Sequence, residues 1–359
     1  MLDRFSRWRR YFSQYCAECR HYGVAPLATA PKALDLFFLR RFSPKEVFLL
    51  GLLDPGLSAE MRKRQVSKAE LLRVQERLNP SEALSLTEDK LKFYLHCSAS
   101  GLKTATVFAT TLKESKANAD LMRLSTPEEW RRLFELHRQE DLVVKPVHGV
   151  HGADVRMVRW DGHLLREGSS ILELKHLLAE LDSRDWAGWL VQERLRPHRS
   201  LLDLSGTHAL QTVRVVTVVN DRGLVHVPLA YFRIIVGEGS TDNFKFGHSG
   251  NLVATIDPTS GKFVDVLGPS PERFGLAAYG KHPATLHPFE GFQLPHWDGV
   301  IALVTAAAKA FQPLRTIGWD VAITSAGPAL IEGNATWDPL PTSADLRKVA
   351  EELHALVPS

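Results

Sequence analysis

Residues 317–334 read IGWDVAITSAGPALIEGN and carry the strongest local signal in the sequence. Two alternating runs flank a Ser-Ala-Gly turn, which predicts a β-hairpin. A hairpin centred on Ala326 places Asp320 directly opposite Glu332. The strand period of two puts Asn334 on the same face as these carboxylates. The other face is expected to carry the apolar residues Val321, Ile323 and Ile331.

Two carboxylates opposed across a strand pair repel each other unless a cation lies between them. Opposed Cα atoms in an antiparallel pair are roughly 4.5–5.5 Å apart, so Asp320 and Glu332 could share one ion. With the Asn334 amide they supply three oxygen ligands and leave positions for water and phosphate. This donor set fits Mg²⁺ or Mn²⁺. The alternative is a solvent-facing hairpin with incidental acids.

A strand followed by a glycine loop lies at residues 142–155, which read LVVKPVHGVHGADV. The strand delivers Lys145, and the loop carries His148, Gly149 and Gly152. Glycine lets backbone N–H groups approach phosphate oxygens because no Cβ blocks them, and lysine adds a mobile positive charge. The segment indicates a phosphate-binding loop, although many ordinary hairpins also contain two glycines.

Two weaker signals follow along the chain. The apolar strand at residues 189–195, WLVQERL, ends in polar residues, and such an edge can offer backbone groups to an adenine ring. Arg214 lies within a second apolar run, where burying an unpaired arginine is costly. It therefore requires an anion, which could equally be a protein carboxylate or a ligand phosphate.

The composition is that of a globular chain, with 44% hydrophobic and 24% charged residues. No apolar run approaches the ~20 residues that span a bilayer, so a cytoplasmic location is expected. Residues 1–77 hold 15 Lys and Arg against 8 Asp and Glu, a net charge of +7. This basic segment is either a solvated helical surface or the neighbour of an anion: a phosphate-bearing substrate, a membrane surface or nucleic acid.

Periodicity predicts an α+β fold behind a helical N-terminal region. Ser67 and Glu70 have the spacing of a capping box at the start of one helix. After residue 104, short strands alternate with helices, which include residues 171–181 and 297–311. A strand pair is expected over residues 210–235.

The order of these motifs resembles the ATP-grasp superfamily over roughly residues 87–345. The sequence is similar to the sugar-transfer-associated ATP-grasp family and to the α-L-glutamate ligases that act on ribosomal protein. The resemblance implies an ATP-grasp fold, in which two α+β subdomains grip ATP. The implied division is a helical region at 1–86, a small lid subdomain at 87–195 and a metal-binding subdomain at 196–359. The helical region is expected to pack on the core and help form the acceptor side.

The resemblance also implies roles for individual residues. Those expected to contact the ATP phosphates are Lys90, Lys145, His148, Gly149 and Gly152. Those expected around the adenine and the ribose are Gln192, Glu193, Leu195 and His198. Those expected to contact phosphate or acyl phosphate are Arg214 and Asn243, beside Lys145. The implied magnesium ligands are Asp320, Glu332 and Asn334.

The implied reaction is the joining of a carboxylate to an amine through an acyl phosphate, with ATP and Mg²⁺ (or Mn²⁺) as cofactors and ADP and phosphate as products. The substrates would be small molecules, or acids and amines carried on a peptide or glycan; no nucleic acid is expected. Two alternatives stay open: a phosphotransferase with the same ATP site, and a non-catalytic nucleotide-binding module.

The sequence departs from these relatives at three places. After the Asn243 loop, His248 and Ser249 separate Gly247 from Gly250, where the glutamate ligases have paired glycines. D-Alanine–D-alanine ligases carry an arginine two residues before the first metal ligand, where this chain has Gly318, so Arg214 would have to supply that charge. After Asn334, Trp337 and Asp338 stand where the glutamate ligases have small residues. That region contacts the acceptor, so the acceptor cannot be named from the resemblance.

Overall fold

The computed structural model describes residues 2–112, 121–149, 154–237, 239, 241–272 and 274–357. Helices dominate its first hundred residues, which confirms the predicted helical N-terminal region. They are α1 (Leu2–His21), α2 (Pro26–Leu34), α3 (Pro44–Leu49), α4 (Ala59–Arg64), α5 (Lys68–Leu78), α6 (Ser85–Glu88) and α7 (Lys90–Ala99). A π-helical turn, Asp35–Leu39, continues α2, and a 3₁₀ turn, Ser81–Ala83, precedes α6.

The predicted capping box on α5 forms only in part. The Ser67 side chain accepts a hydrogen bond from the Glu70 backbone N–H at 3.2 Å. The Glu70 carboxylate does not return to the cap, because it pairs with Arg347 of the C-terminal helix at 2.5 Å. The exchange ties the N-terminal region to the end of the chain.

The first sheet has seven strands in the order β2-β1-β7-β3-β4-β5-β6, antiparallel except for the β1–β2 pair. Its elements are β1 (Val107–Thr110), β2 (Met122–Arg123), α8 (Pro127–Leu136), β3 (Asp141–Pro146), β4 (Arg156–Trp160), β5 (Leu165–Glu167), β6 (Ser170–Leu172), α9 (Leu174–Asp182) and β7 (Trp189–Glu193). Helices α8 and α9 contribute to its hydrophobic core. The predicted helix at 171–181 is wrong at its start, because Ile171 and Leu172 pair with β5.

The second sheet also has seven strands, in the order β12-β11-β10-β9-β8-β13-β14. Its elements are α10 (Arg199–Ser205), β8 (Thr212–Val219), β9 (Val225–Ile234), β10 (Leu252–Ile256), β11 (Phe263–Pro269), β12 (Leu276–Ala278), α11 (Trp297–Ala310), β13 (Thr316–Thr324), β14 (Gly327–Asn334) and α12 (Leu346–Ala355). A 3₁₀ turn, Lys245–Gly247, precedes β10. The α+β fold class and the β8–β9 strand pair are confirmed.

Helices cover both faces of the second sheet. Residues of α7 and α11 share one hydrophobic core with it, and residues of α5 and α12 share the other. Polar side chains of the N-terminal region reach across to backbone carbonyls. Gln75 donates to Trp337 O at 3.0 Å, and Asn79 Nδ2 donates to Thr316 O and Ala335 O, both at 2.8 Å. The N-terminal region therefore packs on the core, as expected.

The β13–β14 hairpin has the predicted pairing at its far end but not near its turn. Asp320 opposes Glu332, as predicted, whereas Val321 opposes Leu330. The shift by one residue is a β-bulge that leaves Ile331 without a partner of its own. Ile331 therefore lines the cleft described below, and its predicted place with Val321 and Ile323 is wrong. Without the bulge, Asp320 would face Ile331, so the extra residue brings the carboxylates together.

Candidate active site

A cleft of about 1190 Å³ is lined by both sheets and the N-terminal region. The first sheet contributes β3 and β7, and the second contributes β8, β9, β13 and β14. Lining residues include Val143, Lys145, Gln192, Arg214, Arg233, Asp320 and Glu332. The N-terminal region adds Lys45, Leu49 and Lys68. Most residues predicted as site residues thus meet in one cavity.

Asp320 is buried between two arginines. Arg214 lies opposite it in the β8–β13 register, and its guanidinium binds both carboxylate oxygens, Nη2 to Oδ2 at 3.0 Å and Nε to Oδ1. Arg233 Nη2 lies 2.8 Å from Oδ2. Burial alone would raise the pKa of Asp320, but the two guanidinium groups outweigh it and hold that pKa below its usual range. The anion that Arg214 requires is a protein carboxylate.

Glu332 and Asn334 complete the predicted ligand set beside Asp320. Burial and the negative charge of Asp320 raise the pKa of Glu332. Asn334 donates weakly, to Gly318 O at 3.3 Å and to Glu332 Oε1 at 3.5 Å, so its amide oxygen can serve as a ligand. Repulsion within a buried carboxylate pair is relieved when a cation binds between them.

The described residues fit a magnesium ion whose remaining ligands would be water and phosphate oxygens. Within the described part of the chain, no three His, Cys, Asp or Glu side chains gather around one point. The site offers two carboxylates and one amide, which is typical of Mg²⁺ sites that retain water and bind substrate phosphates. Asp320 accepts N–H groups from Arg214 and Arg233, and lone pairs remain for a cation.

Arg233 and Asp242 belong to the site although sequence reasoning missed them. Arg233 bridges two carboxylates, since its Nε lies 3.3 Å from Asp242 Oδ2 while Nη2 meets Asp320. Asp242 also accepts hydrogen bonds from the Thr212 N–H at 2.8 Å and hydroxyl at 2.7 Å. Arg233 lies within an apolar strand, as Arg214 does, and burying an unpaired arginine there is costly, so the sequence does carry a signal for Arg233.

Lys145 of the first sheet is connected to the second sheet by two hydrogen bonds through Tyr94. Its Nζ donates to the Tyr94 hydroxyl at 2.7 Å and lies 4.6 Å from the centre of that ring. The Tyr94 hydroxyl donates at 3.0 Å to the carbonyl oxygen of Ile331. Ile331 is the bulged residue of the β13–β14 hairpin, which we call the carboxylate hairpin. Burial, with the nearby charge of Lys90, lowers the pKa of Lys145 to about 7. Tyr94 is a third residue that sequence reasoning missed.

Lys90 binds the start of the glycine loop. Its Nζ donates to Gly149 O at 2.5 Å, and its backbone N–H donates to Val147 O at 3.3 Å. His148 Nε2 lies 3.6 Å from Asp89 Oδ2, and both His148 and Gly149 line the cleft. Gly152 lies outside the described residues, as do positions 150, 151 and 153. Both predicted phosphate lysines therefore lie at this end of the cleft.

The predicted adenine hinge is divided between the cleft and the outside. Gln192 and Leu195 line the cleft, and Gln192 Oε1 is buried without a hydrogen-bond partner in the described structure. Glu193 turns away, since its carboxylate accepts from the Thr106 N–H at 2.7 Å and hydroxyl at 3.0 Å. Glu193 does not line the cleft, and its backbone N–H donates to Thr106 O at 2.9 Å.

The remaining two predicted residues have different surroundings. His198 caps α10 through its Nδ1, which accepts from the Ser200 N–H at 3.2 Å, and it does not line the cleft. Asn243 does line the cleft. Asn251 donates to the carbonyls of Thr241 at 3.0 Å and Asn243 at 3.1 Å, which fixes their loop against the second sheet.

A lysine with a pKa of about 7 makes nucleotide binding depend on protons. Phosphates favour the charged form of Lys145, so binding at pH 8 should take up a proton that is already bound at pH 6. Calorimetry of ATP binding in two buffers of different ionisation enthalpy measures this uptake. The Lys145→Arg variant is always charged and should lose the extra uptake at pH 8. Equal uptake in both proteins would contradict the assignment.

Comparison with known proteins gives one family match and several structural neighbours. The sequence model described as "Sugar-transfer associated ATP-grasp" matches residues 72–350. The sequence has no significant match among curated proteins. In the described residues, no helix combines the length and apolarity needed to cross a membrane.

Three solved structures illustrate the neighbours. An L-amino acid ligase from Bacillus licheniformis is 15% identical, with 75% of this chain and 45% of that chain covered and a TM-score of 0.36. A biotin carboxylase from Campylobacter jejuni is 11% identical, with 78% and 48% covered and a TM-score of 0.44. A D-alanyl-alanine synthetase A from Vibrio cholerae is 12% identical, with 78% and 66% covered and a TM-score of 0.46. The chain spans about half the length of the first two.

Proposed function

Because the chain belongs to the sugar-transfer-associated ATP-grasp family, we propose that it is a magnesium-dependent ligase that joins a carboxylate to an amine through an acyl phosphate. The observation that carries the proposal is the opposed pair of buried Asp320 and half-buried Glu332, which lines the same cleft as Lys90, Lys145 and Arg214. The cleft contains two carboxylates and several positively charged side chains. It therefore suits a reaction between two anions that is assisted by a bound metal ion.

The nucleotide is proposed to lie in the cleft, between the first and the second sheet. Its adenine would meet Gln192 Oε1, a buried acceptor that an exocyclic amino group can satisfy. Its phosphates would extend past Lys145 and Lys90 to Asp320, Glu332 and Asn334. When bound there, Mg²⁺ would neutralise phosphate charge and orient the γ-phosphoryl group.

In the first step, an oxygen of the substrate carboxylate attacks the γ-phosphorus, and the bond from that phosphorus to the bridging oxygen of ADP breaks. Both reactants are anions, so the protein has to position them and offset their charge. Lys145 and Lys90 supply positive charge from the side of the glycine loop. Arg214 and Arg233 hold Asp320 ionised, so that carboxylate keeps its charge and orientation throughout.

In the second step, the amine nitrogen attacks the acyl carbon, phosphate leaves and the nitrogen gives up a proton. We propose that the acceptor enters from the N-terminal region, where Lys45, Leu49 and Lys68 line the cleft. Lys68 pairs with Asp338 at 2.6 Å, and this ion pair joins the N-terminal region to the segment that follows β14. The family match begins at residue 72. Lys45, Leu49 and Lys68 therefore form a side of the cleft that lies outside the matched region.

The proposed division of the chain keeps the expected boundaries with one amendment. The first sheet lies within residues 107–193 and the second within residues 212–334, which supports a boundary near 195. Helix α7 shares a core with the second sheet, although it falls within the expected lid at 87–195. We therefore propose that the lid begins after α7.

A product analysis tests the proposed reaction. With Mg²⁺, ATP and a panel of carboxylates, the enzyme should release ADP and phosphate. Added hydroxylamine should trap the activated acid as a hydroxamate, because an acyl phosphate is electrophilic at carbon. An Asp320→Asn enzyme serves as the matched control and should form neither product.

Three other outcomes would contradict the ligase. A stable phosphorylated product without hydroxamate would identify a phosphotransferase. AMP and pyrophosphate would indicate adenylation. ATP binding without turnover, across a broad panel of acids and amines, would identify a nucleotide-binding module.

A further inference from the structure

The helix formed by α2 and its π-helical turn is apolar on two opposite sides. Ala33 and Leu36 face inward and belong to the N-terminal hydrophobic cluster. On the other side, Leu27, Pro31, Leu34 and Phe38 follow the spacing i, i+4, i+7 and i+11, which is one helical face. We call these four residues the apolar stripe.

The apolar stripe is open to solvent. Leu27 is 90% exposed, Leu34 55% and Phe38 64%, and the neighbouring Leu39 is 77% exposed. Isolated apolar side chains on a surface are normal, whereas a continuous row marks a contact with a partner or a membrane. Because the opposite side of the same helix is already buried, the stripe has no packing role in the described structure.

Helix α1 extends this surface with one aromatic residue. Phe12 is 66% exposed, and its ring centre lies 6.4 Å from that of Tyr15. The Tyr15 hydroxyl donates to Pro26 O at 2.6 Å, at the start of α2. Phe12 is thereby placed near the end of the stripe that carries Leu27.

The same region is strongly basic at its surface. Among the described side chains of residues 2–64, the exposed Lys and Arg are Arg9, Arg10, Arg20, Arg41, Lys45, Lys63 and Arg64. The exposed acids in this range are Asp35 and Glu60. Arg9 shares a face of α1 with Phe12 because the two are three positions apart. Arg41 follows Phe38 by three residues in the chain, so positive charge adjoins both Phe12 and one end of the apolar stripe.

We propose that the apolar stripe, with Phe12 and the basic residues around it, docks on an anionic lipid bilayer. Apolar side chains on one helical face insert at the boundary of headgroups and acyl chains, and arginine and lysine bind the anionic headgroups. The charge excess favours this partner over a second copy of the chain, which would carry the same positive charge. The stripe, Phe12, Arg9, Arg10 and Arg41 do not line the cleft, unlike Lys45, so this docking surface is separate from the proposed ligase site.

Vesicle co-sedimentation of the full chain tests the proposal. Vesicles of phosphatidylcholine mixed with phosphatidylglycerol should pellet the protein at low salt, and binding should weaken as salt rises. Vesicles of phosphatidylcholine alone should retain much less. Absence of binding to the anionic vesicles would overturn the proposal.

Substitutions at exposed positions distinguish specific docking through the stripe from non-specific adsorption of exposed apolar side chains. The double variant Leu34→Ser, Phe38→Ser should bind anionic vesicles at least about tenfold more weakly, and Arg9→Ser, Arg10→Ser roughly 25-fold more weakly. The matched control is Leu224→Ser, Val264→Ser, whose side chains are 61% and 62% exposed elsewhere. It should bind like the unmodified chain. A control loss equal to the stripe loss, or a dimer in light scattering that only the stripe variant abolishes, would overturn the bilayer as the partner.

Discussion

Replacing Lys145 with alanine should lower the rate of ADP release by about 10³-fold. Phosphoryl transfer needs little covalent chemistry from the protein, so positioning and charge neutralisation supply nearly all of the catalysis. Lys145 is 7% exposed and held by Tyr94, which fixes its ammonium group at the cleft. Its loss removes a desolvated positive charge that bulk water cannot replace. A coupled assay of ADP under saturating ATP measures the effect on kcat.

The control for this variant is Lys103→Ala. Lys103 is exposed, and its Nζ donates to Ala326 O at 2.5 Å in the turn of the carboxylate hairpin. Its removal changes the net charge equally but takes nothing from the cleft, so turnover should change less than about twofold. If Lys145→Ala retained the kcat of the unmodified enzyme, Lys145 would not act on the phosphates. Urea unfolding of both variants verifies that the fold is intact.

Much of the carboxylate hairpin could be predicted because its information is local. A strand period of two and a short turn determine which side chains share a face. Asp320 and Glu332 are opposed as predicted. The bulge at Ile331 could not be predicted, because nothing in the residue types distinguishes the register before the bulge from the register after it. The prediction assumed one register throughout, and its turn-proximal half was therefore wrong.

Contacts between distant segments were harder to predict. Tyr94 and Lys145 meet only because α7 packs under the first and second sheets, and no short-range pattern encodes that placement. An arginine within an apolar strand needs an anion, but the sequence leaves open whether the anion of Arg214 is a ligand or a protein carboxylate. The β8–β13 register settles the choice in favour of Asp320.

His198 shows the limit of reasoning by position along a chain. It follows the predicted hinge and was expected near the ribose, yet its ring caps α10 and packs 5.4 Å from the ring of His296. A helix start at residue 199 offers free N–H groups, and a side chain at the cap position can accept one of them. That local demand explains its orientation. Its role near a nucleotide stays a prediction.

Asp320 and Glu332, the carboxylates proposed to hold magnesium, should differ in their effect on stability when each is neutralised. Asp320→Asn leaves Arg214 buried without its carboxylate and leaves Arg233 with Asp242 alone, and such a loss costs about 3–5 kcal/mol of the free energy of unfolding. Glu332→Gln removes a half-buried negative charge that its surroundings disfavour, as the raised pKa of Glu332 indicates. The free energy of unfolding should therefore stay the same or increase. Urea unfolding at pH 7 with a chelator and without nucleotide measures both changes.

Both variants should nevertheless lose activity, because both carboxylates are proposed to hold the same magnesium ion. A loss of about 10²–10³-fold in kcat is expected for each at saturating ATP. Partial recovery at high Mg²⁺ is expected for Glu332→Gln, whose amide oxygen remains a possible ligand and whose fold is intact. Asp320→Asn should recover less, since its asparagine can accept only at one oxygen while two guanidinium groups compete for it.

The opposite signs separate a metal site from an ordinary buried network. If Asp320 and Glu332 only stabilised the fold, both substitutions would destabilise it and activity would fall with stability. If they hold a cation, Glu332→Gln uncouples the two: the fold is at least as stable and the enzyme is inactive. A destabilised but active Glu332→Gln protein would exclude Glu332 as a ligand. The pairing of Asp320 with two arginines, and of Glu332 with none in the described structure, makes the two outcomes distinguishable in one denaturation series.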